Sequence, residues 1–188
     1  MKKQLIIGLL PFSILLSTAS HAENTSLENK AQSLAQLFQS QLKPELKKAL
    51  KQGGPVNAIK VCNSKAPQIA HDLAQKSSWE INRVSLKARA ENAKPDPWES
   101  DVLVSFNEKL AQGADIKGLQ YSETVQKDGK STFRYMKAIP TGEVCLKCHG
   151  TSLTTSVKQA LHNLYPNDQA TGFSKGQIRG AFSFQKSL

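Results

Sequence analysis

Apolar residues in the first half of the chain recur at helical spacing. Between Glu23 and Lys51 they return every three or four positions, which predicts an amphipathic helix. Pro44 is expected to kink or divide this helix, and Gly53-Gly54-Pro55 to end it. A second helix is predicted over residues 57–76. The apolar face of this second helix contains Ala58, Cys62, Ala66, Ile69 and Leu73.

The second half carries shorter apolar runs that are typical of strands. Residues 79–87 predict a strand, and Asp96 with Pro97 predicts the start of a helix that ends at Gly113. Asp128-Gly129 predicts the turn of a hairpin formed by residues 121–126 and 132–139. A helix over residues 154–164 and a strand over residues 180–184 follow. Helices followed by antiparallel strands predict the α+β class.

The first 22 residues have the pattern of a signal peptide. Lys2 and Lys3 precede an apolar stretch from Leu5 to Leu16, and Ser20-His21-Ala22 provides the small residues of a cleavage site. The alternative is an uncleaved anchor, although the stretch is shorter than the roughly 20 residues that span a bilayer. We therefore expect a single exported, periplasmic domain over residues 23–188, with no membrane-spanning segment left after cleavage.

The chain is basic, with a formal net charge of +10. This charge could favour an acidic protein partner or an anionic lipid surface, or it could serve solubility alone. The lysines are scattered and no aromatic side chains alternate with them, so nucleic-acid binding is not expected.

Cys145-Leu146-Lys147-Cys148-His149 matches the C-x-x-C-H motif of c-type haem attachment. Two thiols at this spacing can bond the two vinyl groups of one porphyrin, and the adjacent imidazole then serves as the proximal iron ligand. Attachment takes place outside the cytoplasm, in agreement with the predicted signal peptide. The sequence therefore predicts one covalent haem c held by Cys145, Cys148 and His149.

There are three alternatives to haem attachment for these cysteines. A zinc site would need a second pair of ligands, and only Cys62 and His162 are available. A thioredoxin-like motif would need a βαβ unit, which the pattern does not contain. The simplest alternative is a disulfide between Cys145 and Cys148.

Cys62 is the third cysteine, and we hypothesise that its sulfur binds the iron on the side opposite His149. Its small neighbours Ala58 and Ala66 would let a flat porphyrin approach closely. The residue pattern leaves a buried core cysteine equally open. Met136, His71 and His162 are the alternative ligands.

The chain resembles a family of single-haem c-type proteins with a PAS-like core, formerly a domain of unknown function. Members are exported proteins or the outer sensory parts of bacterial chemoreceptors and histidine kinases. The resemblance extends over segments in the same order along the chain: residues 58–63, 83–87, 94–99, 145–150, 165–173 and 180–182. The chain departs from the family pattern at Ala88-Arg89-Ala90, where a proline and an Arg-Asn-Pro run are usual, and at Gln177, where an acidic residue is common.

This resemblance implies a PAS-like antiparallel sheet against the haem, with helices outside it. It also implies paired histidine and cysteine ligation, which corresponds to His149 and Cys62 here. We expect a redox or small-ligand sensor that acts through a separate redox or signalling protein. An electron carrier is the alternative, whereas an enzyme is not expected because Cys62 would close the iron site. Arg83, Lys87 and Arg179 are candidates for pairing with the propionates, or are simply exposed charges.

Overall fold

The computed structural model describes residues 16–188, with side chains from Glu23 onward except that of Lys127. Its main elements are α1 (Leu16–Ser77), β1 (Glu80–Val84), α2 (Pro97–Ala111), β2 (Gln120–Lys127), β3 (Lys130–Pro140), α3 (Leu146–His149), α4 (Thr155–Leu164) and β4 (Ile178–Ser187). Most of the predicted signal peptide lies outside the described residues, so cleavage after Ala22 stays a prediction. No helix within the described range is both long and apolar enough to cross a membrane.

Helix α1 breaks sharply at Gly53 and Gly54, where the backbone leaves helical geometry (φ/ψ of −157°/22° and 65°/−160°). A straight helix would separate Ala35 from Ile69 by about 51 Å, at 1.5 Å per residue. Both residues nevertheless belong to one core cluster, so the two halves of α1 fold back against each other. The predicted end of the first helix at Gly53-Gly54-Pro55 is confirmed.

Pro44 does not divide the helix, contrary to that part of the prediction. The residues with non-helical backbone angles inside α1 are Gly53 and Gly54, and Pro44 is not among them. Pro44 leaves the carbonyl of Ser40 without its usual donor. Ser40 and Pro44 are both exposed, so water can hydrate that carbonyl and the helix continues.

The four strands form one antiparallel sheet in the order β1-β4-β3-β2. Helices and an antiparallel sheet make this an α+β fold, as predicted. The hairpin between β2 and β3 turns at Asp128 and Gly129, whose φ values of 52° and 73° are those of a tight primed turn. Strand β4 is longer than the predicted residues 180–184 and lies in the middle of the sheet.

The sheet separates two apolar cores. On one face, both halves of α1 pack against the aromatic side chains Phe133, Tyr135, Phe182 and Phe184. On the other face, α2 packs against Met136, Ala138 and Ala181. A capping box between Asp96 and Glu99 starts α2, in agreement with the predicted cap.

A third cluster fixes the position of the cysteine motif relative to α1. Ile59 of α1 is buried against Val157 and Leu161 of α4, and Cys148 packs against this cluster. The second half of α1, the motif and α4 are therefore held together by apolar contacts.

Candidate functional site

The segment Cys145 to His149 folds as one helical turn between β3 and α4. A 3₁₀ turn over Glu143–Cys145 leads into α3. Residues three positions apart in a helix lie on the same side, so the thiols of Cys145 and Cys148 share one face. The amide of Gly150 donates to the carbonyl of Leu146 at 3.0 Å and ends the turn. A Cβ at Gly150 would lie 2.6 Å from that carbonyl oxygen, so only glycine fits without displacement.

The imidazole of His149 is held by a backbone carbonyl. Its Nδ1 lies 2.7 Å from the carbonyl oxygen of Ala170. A carbonyl can only accept, so Nδ1 carries the hydrogen and donates it. Arg179 Nε also lies 3.1 Å from Nδ1, but a protonated Nδ1 cannot accept, so this is a close approach without a hydrogen bond. The tautomer leaves Nε2 free of hydrogen and able to bind a metal.

Burial and neighbouring cations keep this imidazole neutral. Desolvation, followed by the charges of Arg179 and Arg89, holds the pKa of His149 well below its usual value. Burial also raises the pKa of Cys62, against the opposing charges of Arg83 and Arg89. A negative charge on Cys145 would raise the pKa of Cys62 further.

Cys62, Cys145, Cys148 and His149 line one cavity of about 230 Å³. All three thiols are free, and Cys148 Sγ lies 3.8 Å from the carbonyl of Pro55 on α1. The walls come from α1, from the end of β1, from the motif and from the start of β4. They are largely apolar, with arginines among them: Leu42, Leu46, Ala58, Ile59, Val84, Ile139, Val144, Arg83, Arg89 and Arg179.

The donor atoms are spread around this cavity and do not converge on a point. Within residues 16–188, no three His, Cys, Asp or Glu side chains are grouped to hold a metal ion. Cys145 and Cys148 present two sulfurs on one side of a helical turn, with the imidazole of His149 beside them and apolar side chains around the rest of the cavity. This arrangement suits a flat, largely apolar group such as a porphyrin. The donor set therefore fits the predicted haem.

The alternative iron ligands lie elsewhere. Met136 is fully buried in the core beneath α2, while His71 and His162 are exposed on α1 and α4. None of these three lines the cavity that contains His149. Of the four candidates, Cys62 is the one placed in that cavity, and its bond to iron stays a prediction.

The three basic side chains proposed for the propionates differ in their contacts. Arg179 donates to Ser85 Oγ at 3.0 Å, and the Lys87 ammonium donates to the carbonyl of Thr171. The guanidinium of Arg83 stacks over the ring of Phe38 at 5.1 Å. No acceptor of a hydrogen bond from this guanidinium is found among the described residues. Arg83 is therefore a half-buried cation that lines the cavity without an anionic partner.

The segment of residues 165–173 packs against the C-terminal end of the motif. Phe173 N donates to the His149 carbonyl at 2.9 Å, and Gly172 N donates to the Gly150 carbonyl at 3.0 Å. The ring of Phe173 meets the imidazole of His149 edge to face, with centroids 6.3 Å apart. The sequence drew attention to this segment through its resemblance to the family, but it gave no role for it.

Arg89 and Asp168 are the site residues that the sequence analysis missed. They form an ion pair beside the motif, with Arg89 Nη2 lying 3.1 Å from Asp168 Oδ2. They are 79 positions apart, and neither stands in a recognisable local pattern. The available signals were that Arg89 falls where the chain departs from the family pattern and that Asp168 lies in the similar segment 165–173.

Comparisons with known proteins agree with this architecture. The family model described as "Tll0287-like: Tll0287" matches residues 16–187. The crystal structure of the cyanobacterial heme-protein Tll0287 superposes with a TM-score of 0.63 at 20% sequence identity, and the match covers 89% of this chain and 96% of that chain. At this identity, the structural likeness shows a shared fold. No curated protein matches the sequence significantly.

Proposed function

This chain belongs to the Tll0287-like family, and on that premise we propose that it is an exported protein with one haem c attached through Cys145 and Cys148. His149 is the proximal iron ligand and Cys62 the second ligand. The protein acts in the periplasm as a redox or small-ligand sensor with a PAS-like core, and it is not an enzyme. One observation carries this proposal: the cavity brings Cys62 to a motif more than 80 residues later in the chain.

The local geometry supports attachment. Cys145 and Cys148 lie on one side of a helical turn and are free thiols. The hydrogen bond from Nδ1 of His149 to Ala170 orients the ring and leaves Nε2 for iron. Arg83 is the cation that would meet a propionate, because Arg179 and Lys87 already donate to protein oxygens.

The placement of Cys62 supports sensing. When bound, haem would supply one-electron redox chemistry and an iron centre that small ligands can reach. A thiolate lowers the iron potential, whereas a methionine raises it. Cys62 belongs to α1 and His149 to α3, so two iron bonds would tie two separate elements together. Release of Cys62 would leave only the apolar contacts of Ile59 and Cys148 between α1 and the motif, which gives the fold two states that a ligand or a redox change can bias.

An electron carrier is the second candidate, and one observation favours it. Val144 lines the cavity and is 41% exposed, directly beside Cys145. An exposed apolar residue next to an attachment site, on a chain with a net charge of +10, is a suitable contact for an acidic redox partner.

The first experiment tests attachment. The full chain is expressed in a bacterium with a c-type maturation system, and the purified product is weighed by mass spectrometry. We expect the mass of residues 23–188 plus one haem, and an absorption spectrum of a c-type protein. The double variant Cys145→Ser/Cys148→Ser should carry no covalent haem. A colourless wild-type product with the mass of the polypeptide alone would refute the proposal.

The second experiment tests the ligand and the role. Cys62→Ala should change the visible and EPR spectra of the oxidised protein, whereas His162→Ala, on the exposed face of α4, should not. Titration of the reduced protein with carbon monoxide then separates the two candidates. Uptake of the gas with loss of the thiolate signature supports a sensor, and inertness with fast electron exchange supports a carrier.

A further inference from the structure

Arg89 and Asp168 form a nearly buried ion pair behind His149. Their side chains are 11% and 8% exposed. The carboxylate accepts two hydrogen bonds through Oδ1: one from Arg89 Nε at 3.1 Å and one from the backbone amide of Ala170 at 2.8 Å. Asp168 therefore fixes both the guanidinium and the backbone of Ala170.

The guanidinium of Arg89 also binds the motif directly. Its Nη2 donates to the carbonyl of Cys148 at 2.7 Å and lies 3.2 Å from the carbonyl of Ala170. The carbonyl of Ala170 is also the acceptor for His149 Nδ1. One carbonyl oxygen thus receives both the guanidinium and the imidazole, and the residue that carries it is tethered by Asp168.

We propose that the Asp168–Arg89 pair is a positioning device for His149: by holding the Ala170 carbonyl, it sets the ring orientation and the tautomer of the imidazole. This inference rests on the proposed haem function, because the outcome that matters is the electron donation of Nε2 to iron. A hydrogen bond at the second ring nitrogen of a histidine ligand controls its basicity. Arg89 and Asp168 hold this carbonyl in place, so they keep Nδ1–H directed at its acceptor.

The two members of the pair have opposite effects on charge near the iron. Replacing Arg89 by glutamine removes a positive charge, and this change favours oxidised iron. Replacing Asp168 by asparagine removes a negative charge and favours reduced iron. Arg89→Gln should therefore lower the midpoint potential, and Asp168→Asn should raise it. These opposite shifts follow from the two charges, so the orientation of the ring is tested by a separate measurement.

A second measurement reports on the ring itself. In the haem-loaded, reduced protein saturated with carbon monoxide, the Nδ1–H proton of His149 is followed by NMR through its exchange with water. In wild type we expect slow exchange. In Arg89→Gln the loosened carbonyl should speed exchange about tenfold, the ratio expected for the net stabilisation of one hydrogen bond.

A matched control removes a charge near the motif without touching Ala170. Lys175 pairs with Glu143 at 2.8 Å, and both side chains are about two-thirds exposed. Lys175→Gln should leave the potential and the exchange rate at wild-type values, since an exposed charge is well screened.

The outcomes separate this inference from the proposed function. If wild type contains no haem, the proposed function fails. If wild type contains haem, but Arg89→Gln leaves the exchange of the His149 Nδ1–H proton unchanged, the positioning role alone fails. Should Arg89→Gln not fold, Arg89→Lys replaces it, because lysine keeps the charge but lacks the planar fork that reaches several acceptors. Arg89→Lys should accelerate exchange, and wild-type exchange in it would overturn the inference.

Discussion

The side-chain amide of Asn57 donates a hydrogen bond to the backbone carbonyl of Ala49, 3.1 Å away. The bond crosses the break in α1 and joins the last turn of its first half to the first turn of its second half. Ala49 is buried, so water cannot readily replace this donor.

Asn57→Ala should therefore destabilise the protein by about 1 kcal/mol, the usual net value of one such bond. The change in the free energy of unfolding is measured by urea denaturation, with circular dichroism as the signal. Ser64→Ala is the control, because its exposed hydroxyl bonds only to carbonyls of its own helix. Equal stability of the two variants would show that the hydrogen bond from Asn57 does not stabilise the break in α1.

Gly150→Ala should disturb the end of the cysteine motif. The added Cβ would lie 2.6 Å from the Leu146 carbonyl, a contact that backbone atoms cannot avoid without moving the turn. We expect a loss of about 1–3 kcal/mol in the free energy of unfolding and a lower yield of haem-bearing protein.

Gly142→Ala serves as the control for that variant, since it precedes the same motif and a Cβ there meets no atom within 4 Å. It should unfold and take up haem like wild type. A Gly150→Ala protein that matches it in both measurements would show that the turn adapts freely.

Arg83→Gln should lower the midpoint potential of the haem-loaded protein. Arg83 is the cavity-lining cation without a described acceptor, and the loss of a half-buried positive charge stabilises oxidised iron. Lys147→Gln removes an exposed cation from within the motif itself and should have little effect. Redox titration of both variants provides the comparison, and equal shifts would contradict a special role for Arg83.

Tyr135→Phe should change how stability depends on alkaline pH. Burial raises the pKa of Tyr135 well above its usual value of 10. The unfolded tyrosine therefore loses its proton at a lower pH than the folded one. The contribution of Tyr135 is then fully present below pH 10 and is lost as the pH rises above that value.

At pH 7 the variant should be less stable than wild type by about 1 kcal/mol, because it loses the hydrogen bond to Gln120. This difference should shrink above pH 10, where the wild type alone carries the ionisation penalty. Urea titrations at both pH values test this, with Tyr121→Phe, at an exposed position, as control. If the difference in stability between wild type and Tyr135→Phe stays constant with pH, burial of the phenol does not explain its effect.

Features governed by neighbouring residues were predictable from the sequence. Asp96 and Pro97 start α2, and Asp128-Gly129 forms the hairpin turn, because caps and turns depend on the chemistry of a few consecutive residues. The C-x-x-C-H motif is local in the same sense. Its spacing determines which side of a turn the thiols occupy.

Features that depend on distant contacts were not predictable. Arg89 and Asp168 meet only because the loop after β1 and the 165–173 segment both pack against the motif, and no periodicity encodes that meeting. Pro44 was expected to kink or divide α1, but α1 is not divided there, because the exposed carbonyl of Ser40 can bind water in place of the missing donor. The meeting of Cys62 with His149 likewise required the fold or a family resemblance, because the spacing of residues in the first half says nothing about the second.

The order β1-β4-β3-β2 has a consequence for the timing of folding. Strand β4 is the last element along the chain, yet both β1 and β3 form their hydrogen bonds with it. A nascent chain cannot complete the sheet until residue 187 has been synthesised, because a shorter chain lacks the strand that joins β1 to β3. Until then the thiols of Cys145 and Cys148 belong to an open chain, accessible to whatever machinery modifies them.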